Sequence, residues 1–226
     1  MRAIAGSPEK MQILYGMAGE RRFPEYEVPH ISGYMGSKPV RIGNAAAGQL
    51  QLDVYGEVLD SLYQSRRAGL VSSTDIWDME VALAKRLETL CREPDEGIWE
   101  VRGGRRDFTW SKIMSWVAFD RVVRTIEEFG AQGPLEEFRR VRQAVREEIE
   151  SRGFDPELNS FVQSFGSKHL DSTLLLIPMV VFLKPDDPRV IGTVAQVEKR
   201  LLADGFVAPP RDPQREHRDQ GQGRPL

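Results

Sequence analysis

Apolar residues recur along this chain at helical spacing, and the helices they predict are of two kinds that alternate. Over residues 45–67 they cover much of the circumference (Leu50, Leu52, Val54, Tyr55, Val58, Leu59, Leu62), the pattern of a helix packed on several sides. Over 75–92 a single stripe of Ile76, Met79, Leu83, Leu87 and Leu90 faces one way, with Lys85, Arg86 and Glu88 largely off it, so this helix lies at a surface. The two strokes then repeat. Residues 109–129 are apolar on nearly all sides (Ile113, Met114, Trp116, Val117, Phe119, Val122, Val123, Ile126), and 134–152 carry a narrow stripe of Leu135, Phe138, Val141, Val145 and Ile149 in a charged background. Residues 172–183 are again almost wholly apolar. Residues 188–203 again show one stripe, Val190, Val194, Val197 and Leu201, behind an Asp187-Pro188 pair suited to the N-cap and first helical position. No stretch of useful length alternates with period two, so the fold class is all-α.

Three buried-plus-exposed pairs, roughly 60 residues apart, suggest a ring of helical hairpins with inner and outer helices. Inner-to-outer connections are short. The outer-to-inner connections, 20–44, 93–108 and 153–170, are long and would emerge on one face, the usual place for a site on a rigid scaffold. Such a ring commonly has about six pairs, so three make half of one, and its open edges would expose apolar inner helices and drive self-association. The helical body is expected over residues 1–207. Residues 208–226, rich in Pro, Arg and Gln without a hydrophobic stripe, are expected to be disordered or frame-shifted.

Composition narrows the function classes. Thirty-one Lys plus Arg against 34 Asp plus Glu leave a formal charge of −3, which provides no global attraction for nucleic acid or an anionic membrane. Cys91 is the only cysteine, so there is no internal disulfide and no cysteine-rich metal site, and it is expected to be a small packed residue. The longest strongly apolar run, 174–183, is broken by Pro178 and is about half of the ~20 residues that span a bilayer. The residues after Met1 lack the apolar core of a secretory signal, and the chain is read as cytoplasmic. His30, His169 and His217 have no pair at i, i+4, so neither metal nor cofactor is expected. Asp171, before Ser172 and Thr173, reads as a helix N-cap rather than a catalytic base, and the charges of 136–152 as a solvated face with i, i+4 pairs.

The middle loop, residues 95–109, holds the candidate chemistry. A Trp next to a Glu, Trp99-Glu100, suits a sugar site: the indole face stacks on a pyranose, and desolvation lifts the carboxyl toward the range of a general acid. For the dipeptide alone the commoner arrangement is the plainer one, a Trp packed under the loop and a solvated Glu paired with a nearby Arg.

The stretch Gly97-Ile98-Trp99-Glu100-Val101-Arg102-Gly103, followed by Phe108-Thr109 and by Ser111-Lys112-Ile113-Met114-Ser115-Trp116-Val117-Ala118-Phe119-Asp120-Arg121, resembles the catalytic-acid region of glycoside hydrolase family 15. This family contains glucoamylases, glucodextranases and some bacterial trehalases. Two further segments are similar to it, 19–49 with Pro39-Val40-Arg41-Ile42-Gly43-Asn44 and 161–189 with Leu170-Asp171, so the resemblance runs from about residue 2 to residue 207. It implies part of an (α/α)6 barrel that cleaves α-glucosidic bonds with inversion, acting on a small or oligomeric α-glucoside. By position it makes Glu100 the general acid and Trp99 a subsite wall, with Arg102, Arg41 and Asn44 as weaker substrate contacts that could equally cap a helix or brace a loop. No segment resembles the hairpins that carry the family's general base, nor the Arg-Asp motif that grips the terminal glucose. Asp107 and Trp110 stand where relatives more often have other polar residues. The chain alone is therefore expected to be inactive, and the alternative is a non-catalytic helical module that binds a carbohydrate or a partner.

Overall fold

The structure, a computed structural model, describes residues 11–22, 24–70, 73–99 and 104–207. The tail assigned to 208–226 lies outside these residues. The chain divides into two compact units, Met1–Leu50 and Gln51–Leu226.

In the first unit, strand β1 (Tyr26–Glu27) pairs antiparallel with β2 (Arg41–Ile42). Gly43, just after β2, has φ +88° and sits so close to the Pro24 carbonyl that a Cβ would lie 2.1 Å from its oxygen; both the turn and the approach require glycine there. Asn44 then accepts the Ala46 amide at 2.8 Å and starts a 3-10 turn at Ala45–Gly48.

The second unit holds five helices among its described residues: α1 (Asp53–Arg67), α2 (Thr74–Leu90), α3 (Thr109–Phe129), α4 (Leu135–Arg152) and α5 (Pro188–Leu201). α1–α2 and α3–α4 are helical hairpins of a partial (α/α)6 barrel, and the fold is all-α. The inner helix α3 lies in the middle, packed mainly against α1 and α4, and is buried on nearly every side. It ends at Gly130, whose φ of +69° closes the helix in a left-handed residue. Helix α1 approaches it closely at Gly56, where a Cβ would stand 2.3 Å from the Met114 carbonyl oxygen. Helix α2 turns Trp77, Leu83, Ala84 and Leu87 inward, and its buried Glu80 takes a two-pronged bond from Arg66 of α1 at 2.7 and 3.1 Å.

Three expectations need correction. The apolar segment 172–183 is not a continuous helix. A 3-10 helix at Ser172–Leu176 gives way to turns, because Pro178 lacks an amide to continue the ladder and Val181 takes φ +65°. The Val180 carbonyl instead accepts Arg121 Nη2 at 2.9 Å. The helix expected over residues 45–67 is likewise two pieces, the 3-10 turn Ala45–Gly48 and α1. Finally, the charged face of α4 is only partly solvated: Arg146–Glu150 and Arg152–Glu148 are i, i+4 pairs, but Arg142 reaches inward at 3.1 Å to Asp120, a buried carboxylate that also pairs with Arg121 and Arg124.

Among the described residues, strand pairs are confined to ladders of two residues, too short for any period-two signal. Besides β1–β2 they are β3 (Phe154–Asp155) with β4 (Ser160–Phe161), and β5 (Leu202–Ala203) with β6 (Phe206–Val207). The first of these belongs to the third long loop and is fastened to α5 by the buried bond from the Phe161 amide to Thr193 Oγ1, 3.0 Å.

Candidate active site

Two of the long loops, 93–108 and 153–170, are laced together at the N-terminus of α3. Asp95 and Arg106 exchange backbone bonds of 3.0 and 2.9 Å that close the base of the first loop. Across to the second loop, the Thr109 amide donates to the Gln163 carbonyl and the Phe165 amide to the Asp107 carbonyl, each at 2.9 Å. The first turn of α3, which lacks a side-chain cap, is thus capped by a carbonyl-bearing loop and the loop is held by the helix.

Lys112, on that first turn, is completely buried. Its ammonium donates to the carbonyls of Cys91 and Glu93 at 2.8 and 3.0 Å and pairs with Asp107 Oδ1 at 3.0 Å. All three donors are satisfied, which is what allows a lysine to be buried with its charge. Cys91 is packed as expected at the end of α2, and burial raises its thiol pKa, which keeps it protonated rather than nucleophilic.

Asp95 is buried beside the start of α1, and its Oδ2 accepts the Leu52 amide at 3.0 Å. Burial lifts its pKa, with the Leu52 amide opposing. Asp53, the first residue of α1, is also buried, and burial together with the Asp95 charge pushes its carboxyl up to about 7. Sequence reasoning missed both acids. The signal was there in Asp53, an acid inside the stretch 45–67 read as packed on several sides, but nothing in the spacing joins positions 53 and 95.

Trp99 emerges from this framework. Gly97, with φ +68°, lies against Phe108 so closely that a Cβ would meet the ring at 2.8 Å, and the chain turns there toward Trp99. The indole Nε1–H donates to both oxygens of Asp171, 3.0 and 3.1 Å away, and the residue is still 41% exposed. Asp171 is itself buried and accepts the Thr173 amide at 2.9 Å, so the expected N-cap is present and has a second use. Burial raises its pKa; the Thr173 and Trp99 N–H groups pull the other way.

The remaining sequence-selected residues fall as follows. Glu100 and Arg102 lie outside the described residues. Arg41 and Asn44 belong to the first unit. Arg41 pairs with Glu25 at 3.3 Å and Glu27 at 3.1 Å and lines a cleft of about 460 Å³ with Val28, Ile31 and Pro39, while Asn44 is used as a helix cap. No group of three or more His, Cys, Asp or Glu side chains suited to a metal occurs among the described residues, and no helix among them is long and apolar enough to cross a membrane.

Comparison with known proteins places this geometry in a family. The family model of glycosyl hydrolases family 15 matches residues 1–223, a span that includes most of the segment after Val207 that the sequence reading set apart. A trehalase of Thermoplasma acidophilum is 35% identical over 207 residues, 92% of this chain and 36% of its own length. A trehalase of Mycobacterium tuberculosis is 39% identical over 197 residues, 87% of this chain and 29% of its own. The chain therefore spans about a third of the length of these curated relatives. Among solved structures, a glycosidase variant in complex with glucose matches with a TM-score of 0.61 at 21% identity, over 80% of this chain and 49% of that one, a likeness of fold. With its three separated motifs, its helical hairpins and a family match over nearly its whole length, the chain belongs to glycosyl hydrolases family 15.

Proposed function

We propose that this chain forms the general-acid side of a glycoside hydrolase site that cleaves α-glucosidic bonds with inversion, with Glu100 as the acid, Trp99 as the wall of the adjoining sugar subsite and trehalose as the substrate to test first. The observation that carries the reading is the Trp99 indole: held at its edge by Asp171 and 41% exposed, it offers a fixed apolar face of the kind a pyranose stacks on. The trehalase relatives support the substrate class. Glu100 follows Trp99 directly in the sequence and Arg102 is two residues further on, and we assign the arginine to a sugar hydroxyl or to the acid. Arg41 and Asn44, whose polar atoms are taken up in the first unit, are assigned bracing roles.

An inverting glycosidase also needs a second carboxylate, ~6.5–9.5 Å from the first, to activate water. Since no segment of this chain resembles the part of the family that supplies it, the 226-residue chain is expected to bind sugar but to lack the ~10²- to 10⁴-fold contribution of a general base. The test is Glu100→Gln in a ring completed with the remaining hairpins of a trehalase relative. Trehalose turnover should fall by at least ~10²-fold with binding retained. Unchanged turnover would overturn the assignment.

A second reading, a non-catalytic module that binds a partner or a second copy of itself, is favoured by the exposed apolar side chains Leu176, at the end of the 3-10 helix, and Met179 and Val181, on the turns after it. It predicts concentration-dependent association in sedimentation, and a sharp monomer at all concentrations would exclude the self-association.

A further inference from the structure

We propose that Asp171 is a positioning residue of this site: its carboxylate holds the Trp99 indole by the Nε1–H, so that the ring meets a sugar in one orientation. The inference rests on the reading of Trp99 and Glu100 given above.

The argument is geometric. The two residues are 72 positions apart in sequence, and their contact joins the acid-bearing loop to the loop that follows α4. The anchor is buried to all but 3%, whereas the ring it holds is 41% exposed. Asp171 has a hold of its own apart from Trp99, because its Oδ1 accepts the Thr173 amide. Its neighbour Leu170 packs on Val197 and Leu201 of α5, and Gln163 links the same segment to α3 by donating its amide to the His169 carbonyl at 2.8 Å while accepting from Thr109. The anchor is therefore fixed to two helices. A hydrogen bond to a carboxylate is charge-assisted and roughly twice as strong as a neutral one, and a bond from an indole edge restrains rotation of the whole ring. Capping alone would need only Oδ1. The second oxygen, Oδ2, lies 3.1 Å from the Trp99 Nε1.

Asp171→Ser separates the two uses, because serine caps a helix as well as aspartate does but is too short to reach the indole. In the full 226-residue chain, Trp99 emission is isolated as the difference from Trp99→Phe. We expect Asp171→Ser to keep the thermal midpoint close to that of the parent while Trp99 emission shifts to the red and acrylamide quenches it more strongly. Trehalose affinity, measured by calorimetry, should fall about tenfold. Asp171→Asn, which keeps an acceptor for both N–H groups, should restore most of both signals, and Trp99→Phe/Asp171→Ser should bind no more weakly than Trp99→Phe alone. Unaltered Trp99 quenching in Asp171→Ser overturns the tether, and unaltered affinity overturns its role in sugar binding. If Asp171→Ser fails to fold, Trp99→Phe decides: full trehalose affinity without the indole N–H overturns the proposal. A parent chain with no trehalose affinity at millimolar sugar overturns the proposed function and the sugar role of Asp171 with it, but leaves the quenching comparison to report on the tether, so the two failures are distinguishable.

Discussion

Lys112 and Asp107 form an ion pair 3.0 Å long in which the lysine is wholly buried and the aspartate is at the edge of solvent. The pair joins the first turn of α3 to the end of the loop that carries Trp99, and the same ammonium holds the loop's beginning through the carbonyls of Cys91 and Glu93. One cation thus closes both ends of the candidate acid loop.

Removing that cation should loosen the loop before it unfolds the chain. Lys112→Met fills similar volume but leaves the Cys91 and Glu93 carbonyls without their donor, a loss of roughly 1–3 kcal/mol, while Asp107 keeps Arg152 at 3.5 Å. We expect a lower denaturant midpoint and faster amide exchange in residues 93–99. Unchanged exchange there would contradict the role given to Lys112.

Asp53 makes stability depend on pH in an unusual direction. Its carboxyl is raised from 3.8 to about 7, so between those values the folded chain holds a proton that the unfolded chain has released. Stability should therefore fall as pH rises through this window, with the full cost in place above pH 7. Asp53→Asn carries no charge to bury. It should raise the thermal midpoint at pH 8 and change it little at pH 4. Equal midpoints of the two proteins at pH 8 would show that the carboxyl ionises without cost.

At Gly56 two effects oppose each other. Alanine gains up to about 1 kcal/mol in helix propensity over glycine. Here its Cβ would meet the Met114 carbonyl oxygen at 2.3 Å, and overpacking of this kind costs roughly 1–3 kcal/mol, more than propensity returns when the neighbour is backbone. Gly56→Ala should therefore destabilise the chain in urea, and a gain in midpoint would mean that α1 and α3 separate easily.

Arg66 and Glu80 couple α1 to α2 through a carboxylate that burial pushes up in pKa and the guanidinium pulls back down. Arg66→Met should cost roughly 3–5 kcal/mol, and the double change Arg66→Met/Glu80→Met should recover most of it, because the penalty comes from the charge left alone. If the double variant is no better than the single one, the lost packing of Arg66 over Trp77, 5.7 Å from the ring centre, is the dominant effect.

The sequence by itself determined the place and order of α1 to α5, though it began α1 too early and added a helix at 172–183. Periodicity over a dozen or more residues is a strong local signal, and α3 and α4 begin and end within a residue of where the stripes of Ile113 to Ile126 and Leu135 to Ile149 place them. It also determined the family, since motif residues such as Trp99, Glu100 and Lys112 are read in linear order. The caps at Asp171 and Asp187 were legible for the same reason: a side chain and an amide two residues on are local. What only the tertiary structure decided are the pairings between distant positions. The Trp99–Asp171 bond spans 72 residues and the Arg66–Glu80 bond spans 14, and no periodicity encodes either. Buried charges such as Lys112, Asp120 and Asp95 read as surface positions until their partners are in view, because the free energy that allows their burial lies in hydrogen bonds made by other segments. The break in 172–183 has the same origin: hydrophobicity reported burial correctly, but Pro178 and the demand of Arg121 for the Val180 carbonyl set the backbone path.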